Sequence, residues 1–249
     1  MAITTKSPSE IEMMRGAGRI VAATLKALAE YVRPGVVTAE LDAIAVREIT
    51  NRGGTPSFKG YRGFPASLCV SINDELVHGI PGQRALCEGD IVSLDVGAIL
   101  NGFHGDAAIT VEVGEVGDEA RRLLMVTEGA LSAGIAAARH GSRLGDVSAA
   151  IQDHVESRGF TVVREYVGHG IGRQMHEEPQ IPNFGLPGRG PLLKKGMVLA
   201  LEPMVNAGGW RTKVADDGWT VSTADGSLCA HFEHTIVITD GEAEILSAL

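Results

Sequence analysis

Two stretches of the chain follow one pattern, a glycine, a nearly unbroken apolar run and a closing carboxylate: GDIVSLD from Gly89 to Asp95 and GMVLALE from Gly196 to Glu202. Short apolar runs without alternation read as strands buried on both faces. Each is preceded by a His-Gly-Ile segment predicted as a turn, His78-Gly79-Ile80 before the first and His169-Gly170-Ile171 before the second. Two matched pairs in the same order predict two related halves whose equivalent ends meet at a shared cleft. Around these runs the pattern is helical where apolar residues recur at three and four. Ser7, Pro8 and Glu10 form a capping box that opens a helix to about Val32. A second helix is predicted from Thr38 to about Asn51, with Leu41, Ile44 and Ala45 inward and Gly53 and Gly54 as its stop. Short strands follow from Thr55 to Gly114, helices from Asp118 to Arg139 and from Leu144 to Arg158, and strands again from Phe160. The order helices, strands, helices, strands is that of an α+β fold. A single domain spanning residues 1–249 is expected, with halves of about 1–115 and 116–249. The proline- and glycine-rich stretch Pro179–Pro191 is expected to be irregular and to rim the cleft.

The register of one hairpin is fixed by its turn. Asn101-Gly102 is a strong two-residue hairpin signal. With that loop Leu100 faces Phe103, Gly97 lies opposite Asp106, and Asp95 and Asp106 become diagonal neighbours on one face. In the second half, Glu202 closes its apolar run and Glu233 lies within the β-branched stretch AHFEHTIVIT.

Buried carboxylates without a partner cost several kcal/mol or take up protons. Asp95, Asp106, Glu202 and Glu233, with His169, form a hard, oxygen-rich donor set suited to two divalent ions such as manganese, iron(II), cobalt or zinc. Four negative charges balance two dications, and such a pair acidifies a bridging water for attack on a carbonyl. Other histidines read differently. His154 falls on the helical stripe of Leu144, Val147 and Ile151, His140 sits at a helix end, and His104, His231 and His234 are expected to alternate away from the ligands in supporting roles. Asp90 and Asp118 are expected to be caps or surface charges.

Composition narrows the alternatives. With 44% hydrophobic and 21% charged residues the chain is of ordinary globular type. A net charge of -9 speaks against a nucleic-acid face, so no DNA partner is expected. The three cysteines form no CxxC pair, no signal core opens the chain, and no run is long enough to span a membrane, so a cytoplasmic location is expected. No GxSxG elbow and no GxxxxGK phosphate loop occur.

Seven segments in order, SINDELVHGIP from Ser71, SLDVG from Ser93, NGFHGD from Asn101, GHGIG from Gly168, MHEEPQIPN from Met175, LEPM from Leu201 and FEHT from Phe232, closely resemble the type I methionine aminopeptidases. The resemblance covers nearly the whole chain. It implies the pita-bread fold, with two pseudosymmetric halves of helices packed on a curved antiparallel sheet. It implies that Asp95, Asp106, His169, Glu202 and Glu233 hold two metals, Asp106 and Glu233 bridging. His78 and His176 would face the substrate, and Glu202 would also shuttle a proton from the attacking metal-bound hydroxide's parent water to the leaving amine. Phe58, Tyr61, Phe64, Cys69, Met175 and Trp219 would line the methionine pocket. Met175 departs from the family, where an aromatic commonly stands. The implied activity is removal of the N-terminal methionine from nascent chains with a small, uncharged second residue, by a monomer in transient contact with the ribosome. A proline-directed relative of the same fold would carry a further N-terminal domain. A non-catalytic relative would have lost ligands and gained basic surface, and a structural calcium site is disfavoured by His169.

Overall fold

The structure, a computed structural model, describes residues 2–249. Its four helices are α1 (Pro8–Tyr31), α2 (Thr38–Asn51), α3 (Asp118–Ala137) and α4 (Leu144–Glu156). The capping box of α1 is formed: the Glu10 N–H donates to the Ser7 hydroxyl at 3.4 Å and the Ser7 N–H donates to the Glu10 carboxylate at 2.9 Å. Helices α3 and α4 stop two residues short of the sequence expectation. Ala138 leaves helical geometry (ψ 75°), and the turn that follows is held by the Arg139 N–H donating to the Ser142 hydroxyl. Beyond α4 the chain turns at Gly159 in the left-handed region (φ 82°).

One antiparallel sheet dominates. Thr55–Pro56, Ile91–Leu100, Phe103–Glu112, Glu233–Val237, Val198–Leu201, Gly168–Gly170 and Glu177–Ile181 lie side by side in that order, with Cys69–Ile72 added to Ile91–Leu100 and Glu244–Ile245 to Glu233–Val237. First-half strands occupy one side of the seam between Phe103–Glu112 and Glu233–Val237, and second-half strands the other. Each side buries its own helix pair. Val21, Leu25, Leu28, Leu41 and Ile44 pack with Val92, Leu94 and Val96, whereas Leu123, Leu131, Val147 and Ile151 pack with Leu199, Leu201 and Ile236. Alternate residues of the apolar runs therefore meet the helices, and the intervening ones, Asp95 among them, point to the opposite face. Both faces are covered, which is why the runs lack alternation.

Three details differ from the sequence reading. Asp95 does not end its strand, which continues to Leu100 because VGAIL remains apolar up to the Asn101-Gly102 turn. The two His-Gly-Ile segments are not equivalent: Gly168–Gly170 is a strand, whereas His78 lies outside regular structure at φ 61°. What they share is a glycine forced by close approach. A Cβ on Gly79 would lie 2.1 Å from the Val70 carbonyl oxygen, and one on Gly170 would lie 2.2 Å from that of Glu178. The third difference is that Glu177–Ile181 forms a strand reaching into the segment read as irregular. It is the outer strand of the sheet, where Pro179 removes no inward rung, and Gln180 and Ile181 pair with His169 and Gly168.

Candidate metal centre and substrate cavity

The predicted hairpin register is present, with Leu100 opposite Phe103, Gly97 opposite Asp106 and Asp95 opposite Ala108. Across the seam Ala108 also pairs with Glu233, and on the far side Asp95 pairs with Cys69. Cys69, Asp95, Ala108 and Glu233 thus form one transverse row over four strands. Paired residues share a face, and Asp106, two residues from Ala108, shares it too. The methyl group of Ala108 is what separates the Asp95 and Glu233 rungs. His169 enters from the Gly168–Gly170 strand and Glu202 directly follows Val198–Leu201.

All thirteen site residues singled out from the sequence meet at one cavity of about 150 Å³: Phe58, Tyr61, Phe64, Cys69, His78, Asp95, Asp106, His169, Met175, His176, Glu202, Trp219 and Glu233, with Arg62 in addition. One end is acidic and the other apolar. At the acidic end, ligand atoms of Asp106, His169 and Glu233 lie within 4.8 Å of one another. His169 Nε2 stands 3.9 Å from Asp106 and 3.6 Å from Glu202. Its Nδ1 is 2.9 Å from the Gly170 carbonyl oxygen, which can only accept, so Nδ1 carries the proton and Nε2 presents its lone pair to the acids.

Asp95 Oδ1, Asp106 Oδ1 and Glu233 Oε1 are buried with no hydrogen-bond donor, and among the described residues no Lys or Arg pairs with any of the four carboxylates. Burial pushes Asp95 up to about 7. Burial, then neighbouring carboxylates, pushes Asp106, Glu202 and Glu233 well above the usual range. Orphaned hard oxygens beside a lone-pair imidazole fit divalent metal ions and leave no other cation to balance them.

The apolar end is built from Phe58, Phe64, Cys69 and Met175, all buried, with Trp219 edge-on to Phe64 at 5.2 Å between centroids. Tyr61 opens a short 3₁₀ turn (Tyr61–Gly63), and its hydroxyl lies 2.8 Å from His176 Nδ1. Burial first, then His169 and Arg62, lowers His176 to about 3, so its ring is neutral. Burial likewise lowers His78.

Other histidines divide. His104 and His234 turn to Ser57 and Ser247. His231 does not alternate away: it lies two residues before Glu233, and residues two apart on extended backbone share a face, so it stands on the side of the ligands. Its Nε2 stands 3.8 Å from Glu202 Oε2. Two further residues stand at the site without a periodic pattern to mark them in the sequence: Tyr166, whose ring lies edge-on to His78 at 6.0 Å, and Arg62. No residue of the 179–191 loop lines this cavity among the described residues; Asn183 reaches it indirectly by donating to the Glu202 carbonyl oxygen at 2.9 Å.

The chain belongs to metallopeptidase family M24, which matches residues 12–240, and is therefore an enzyme of the hydrolase class. Within that class its similarity is to methionine aminopeptidases, as the motifs implied. It is 56% identical to methionine aminopeptidase 1 of Bacillus subtilis, over 98% of this chain and 99% of that one, and 50% identical to methionine aminopeptidase 1 of Mycobacterium tuberculosis, over 98% and 95%. The crystal structure of the methionine aminopeptidase from Thermotoga maritima superposes with a TM-score of 0.98 at 50% identity, covering 100% of both chains. Prolidase from Pyrococcus furiosus shares the fold alone, with a TM-score of 0.82 at 22% identity over 99% of this chain and 66% of that one. The α+β architecture is the pita-bread fold. No helix is long and apolar enough to cross a membrane.

Proposed function

We propose that the chain is a single catalytic domain that removes the N-terminal methionine from polypeptides whose second residue is small. The observation that carries this reading is the cavity itself, which joins four buried, donor-poor carboxylates and His169 at one end to a sulfur- and aromatic-lined recess at the other. Asp95, Asp106, His169, Glu202 and Glu233 would hold two divalent ions. Such ions would acidify a water and polarise the scissile carbonyl. The residues of the chain supply the rest. The apolar recess accepts the methionine side chain: Cys69 and Met175 give soft contacts to its thioether, and Phe58, Phe64 and Trp219 give it aromatic walls. Its limited volume leaves the free amine at the acidic end, which confines attack to the terminal peptide bond. His78 and His176 face the amide and steady the oxygen on which charge develops. Glu202, at the edge of the acidic end, takes the proton of the attacking water and returns it to the leaving amine.

The test is to titrate manganese, iron(II), cobalt or zinc into metal-free protein while following methionine release from a Met-Ala-Ser peptide. Release that saturates near two ions, with little from Met-Leu or X-Pro peptides, is expected. No turnover with any of these metals would remove the aminopeptidase reading.

A further inference from the structure

Two imidazoles stand side by side in the cavity, His169 and His176, with ring centroids 4.3 Å apart. Their Nδ1 atoms have opposite kinds of partner. His169 Nδ1 meets a carbonyl oxygen, an obligatory acceptor, so it must donate, and Nε2 is left as a base. His176 Nδ1 meets the hydroxyl of Tyr61 at 2.8 Å. Among the described residues His176 Nδ1 is the one hydrogen-bond partner of that hydroxyl, which can donate its proton there. A phenol is also the better donor, and an unprotonated imidazole nitrogen the better acceptor. With Nδ1 accepting, the neutral His176 ring carries its proton on Nε2.

We propose that Tyr61 is a positioning residue that locks His176 in the Nε2–H tautomer, so that of two adjacent imidazoles one is a Lewis base and the other a hydrogen-bond donor. The consequence is twofold. His176 can donate to the carbonyl oxygen of the scissile bond, and its Nε2, being protonated, cannot compete with His169 for a metal. The geometry supports the lock: the Tyr61 and His176 rings are stacked at 5.4 Å with an interplanar angle of 19°. Tyr61 is itself anchored by backbone bonds, its N–H to the Phe58 carbonyl and its carbonyl from the Phe64 N–H, both 2.9 Å. Tyr61 would then serve two ends at once, its ring as a wall of the methionine recess and its hydroxyl as the director of His176.

The part that concerns the substrate carbonyl rests on the aminopeptidase reading; the tautomer does not. Tyr61→Phe keeps the wall and removes one hydroxyl. Long-range ¹⁵N–¹H correlation spectra of histidine-labelled protein, with His176 assigned by its absence in His176→Asn, report the tautomer without substrate. The expected result is Nε2–H in the parent and a mixture or the Nδ1–H form in Tyr61→Phe. With Met-Ala-Ser, kcat should fall on the order of tenfold, as for the loss of one oriented hydrogen bond, while KM changes little. An Nδ1–H ring in the parent, the same tautomer in both proteins, or an unchanged kcat would overturn the proposal. If the parent cleaves no methionyl peptide, the aminopeptidase reading fails, and the spectra still decide the tautomer.

Discussion

Thr235 holds both backbone polar groups of Asp106: its Oγ1 accepts from the Asp106 N–H at 3.0 Å and donates to the Asp106 carbonyl oxygen at 2.8 Å. Direct pairing across the seam is confined to Glu233 with Ala108 and His234 with Ala107, so a side chain stands in for the missing rung. The arrangement is mirrored. Thr110 Oγ1 accepts from the His231 N–H at 2.9 Å and donates to the His231 carbonyl oxygen at 2.8 Å. The two threonines bracket the place where the halves exchange their acids. Thr235→Val preserves shape but leaves two buried backbone groups of Asp106 unpaired, at a cost of about 2–4 kcal/mol. Denaturant unfolding should show that loss, and calorimetric titration should show weaker binding of manganese. Thr235→Ser should restore most of both. A valine variant with parent stability and affinity would show that the seam holds without this clasp.

Ala108 pairs with Asp95 on one side and Glu233 on the other and is 1% exposed. A larger side chain there must enter the space between two acids on the shared face. Ala108→Leu is expected to cost about 1–3 kcal/mol of stability through overpacking. Its larger effect should be on metal stoichiometry, measured by elemental analysis after dialysis, which should fall below that of the parent. Full metal content in the variant would mean that the row has more room than its pairing implies.

Much of this was legible in the chain, for reasons that can be located. The Asn101-Gly102 turn admits one register, and that register alone brings Asp95 and Asp106 to one face. The capping box at Ser7 likewise has a local cause. What escaped depends on distant parts of the chain. Thr110 and Thr235 read as ordinary β-branched strand residues, because their partners lie more than a hundred positions away. His231 is a different case: the alternation itself places it, two residues before Glu233, on the face of the ligands. The different roles of His78 and His169 follow from the resemblance, but their different backbones were invisible in identical His-Gly-Ile strings, since only the pairing of Gly168–Gly170 within the sheet makes one a strand.

The metal-free protein should lose stability as the pH rises above neutrality. Asp95 titrates at about 7 in the fold against an ordinary value of 3.8, and Asp106, Glu202 and Glu233 are also raised, by burial first. Over their windows the folded state binds more protons than the unfolded one, so stability falls with rising pH. The buried histidines have the opposite sign: His169 is lowered from 6.5 to about 4, so its contribution falls away as the pH drops below 6.5. Below 6.5 the two groups oppose one another, and above it only the carboxylates act. Melting temperatures in chelator should therefore decline from pH 6.5 through 8.5, and saturating manganese should flatten that decline by pairing the ionised acids. A melting temperature that is level or rising over this range in chelator would contradict the environment assigned to the carboxylates.

His78 sits in the left-handed region at φ 61°, a conformation that residues with a Cβ adopt at a cost. Its ring is edge-on to Tyr166 at 6.0 Å and to Trp219 at 6.5 Å, and the Gly79 N–H that follows donates to Ser71 Oγ at 3.1 Å. The strained backbone therefore aims the imidazole into the cavity between two aromatic rings. Replacing it separates function from fold. His78→Ala and His78→Gly should both reduce kcat for Met-Ala-Ser by about 10²–10³, as for loss of a donor to developing charge, with metal stoichiometry unchanged because His78 is not in the ligand set. The two variants should differ in stability. Glycine enters the left-handed region freely, so His78→Gly should be more stable than His78→Ala by roughly 1 kcal/mol despite its more flexible unfolded chain. Equal stabilities would show that the backbone at this position is not under strain, and loss of metal from either variant would place His78 among the ligands.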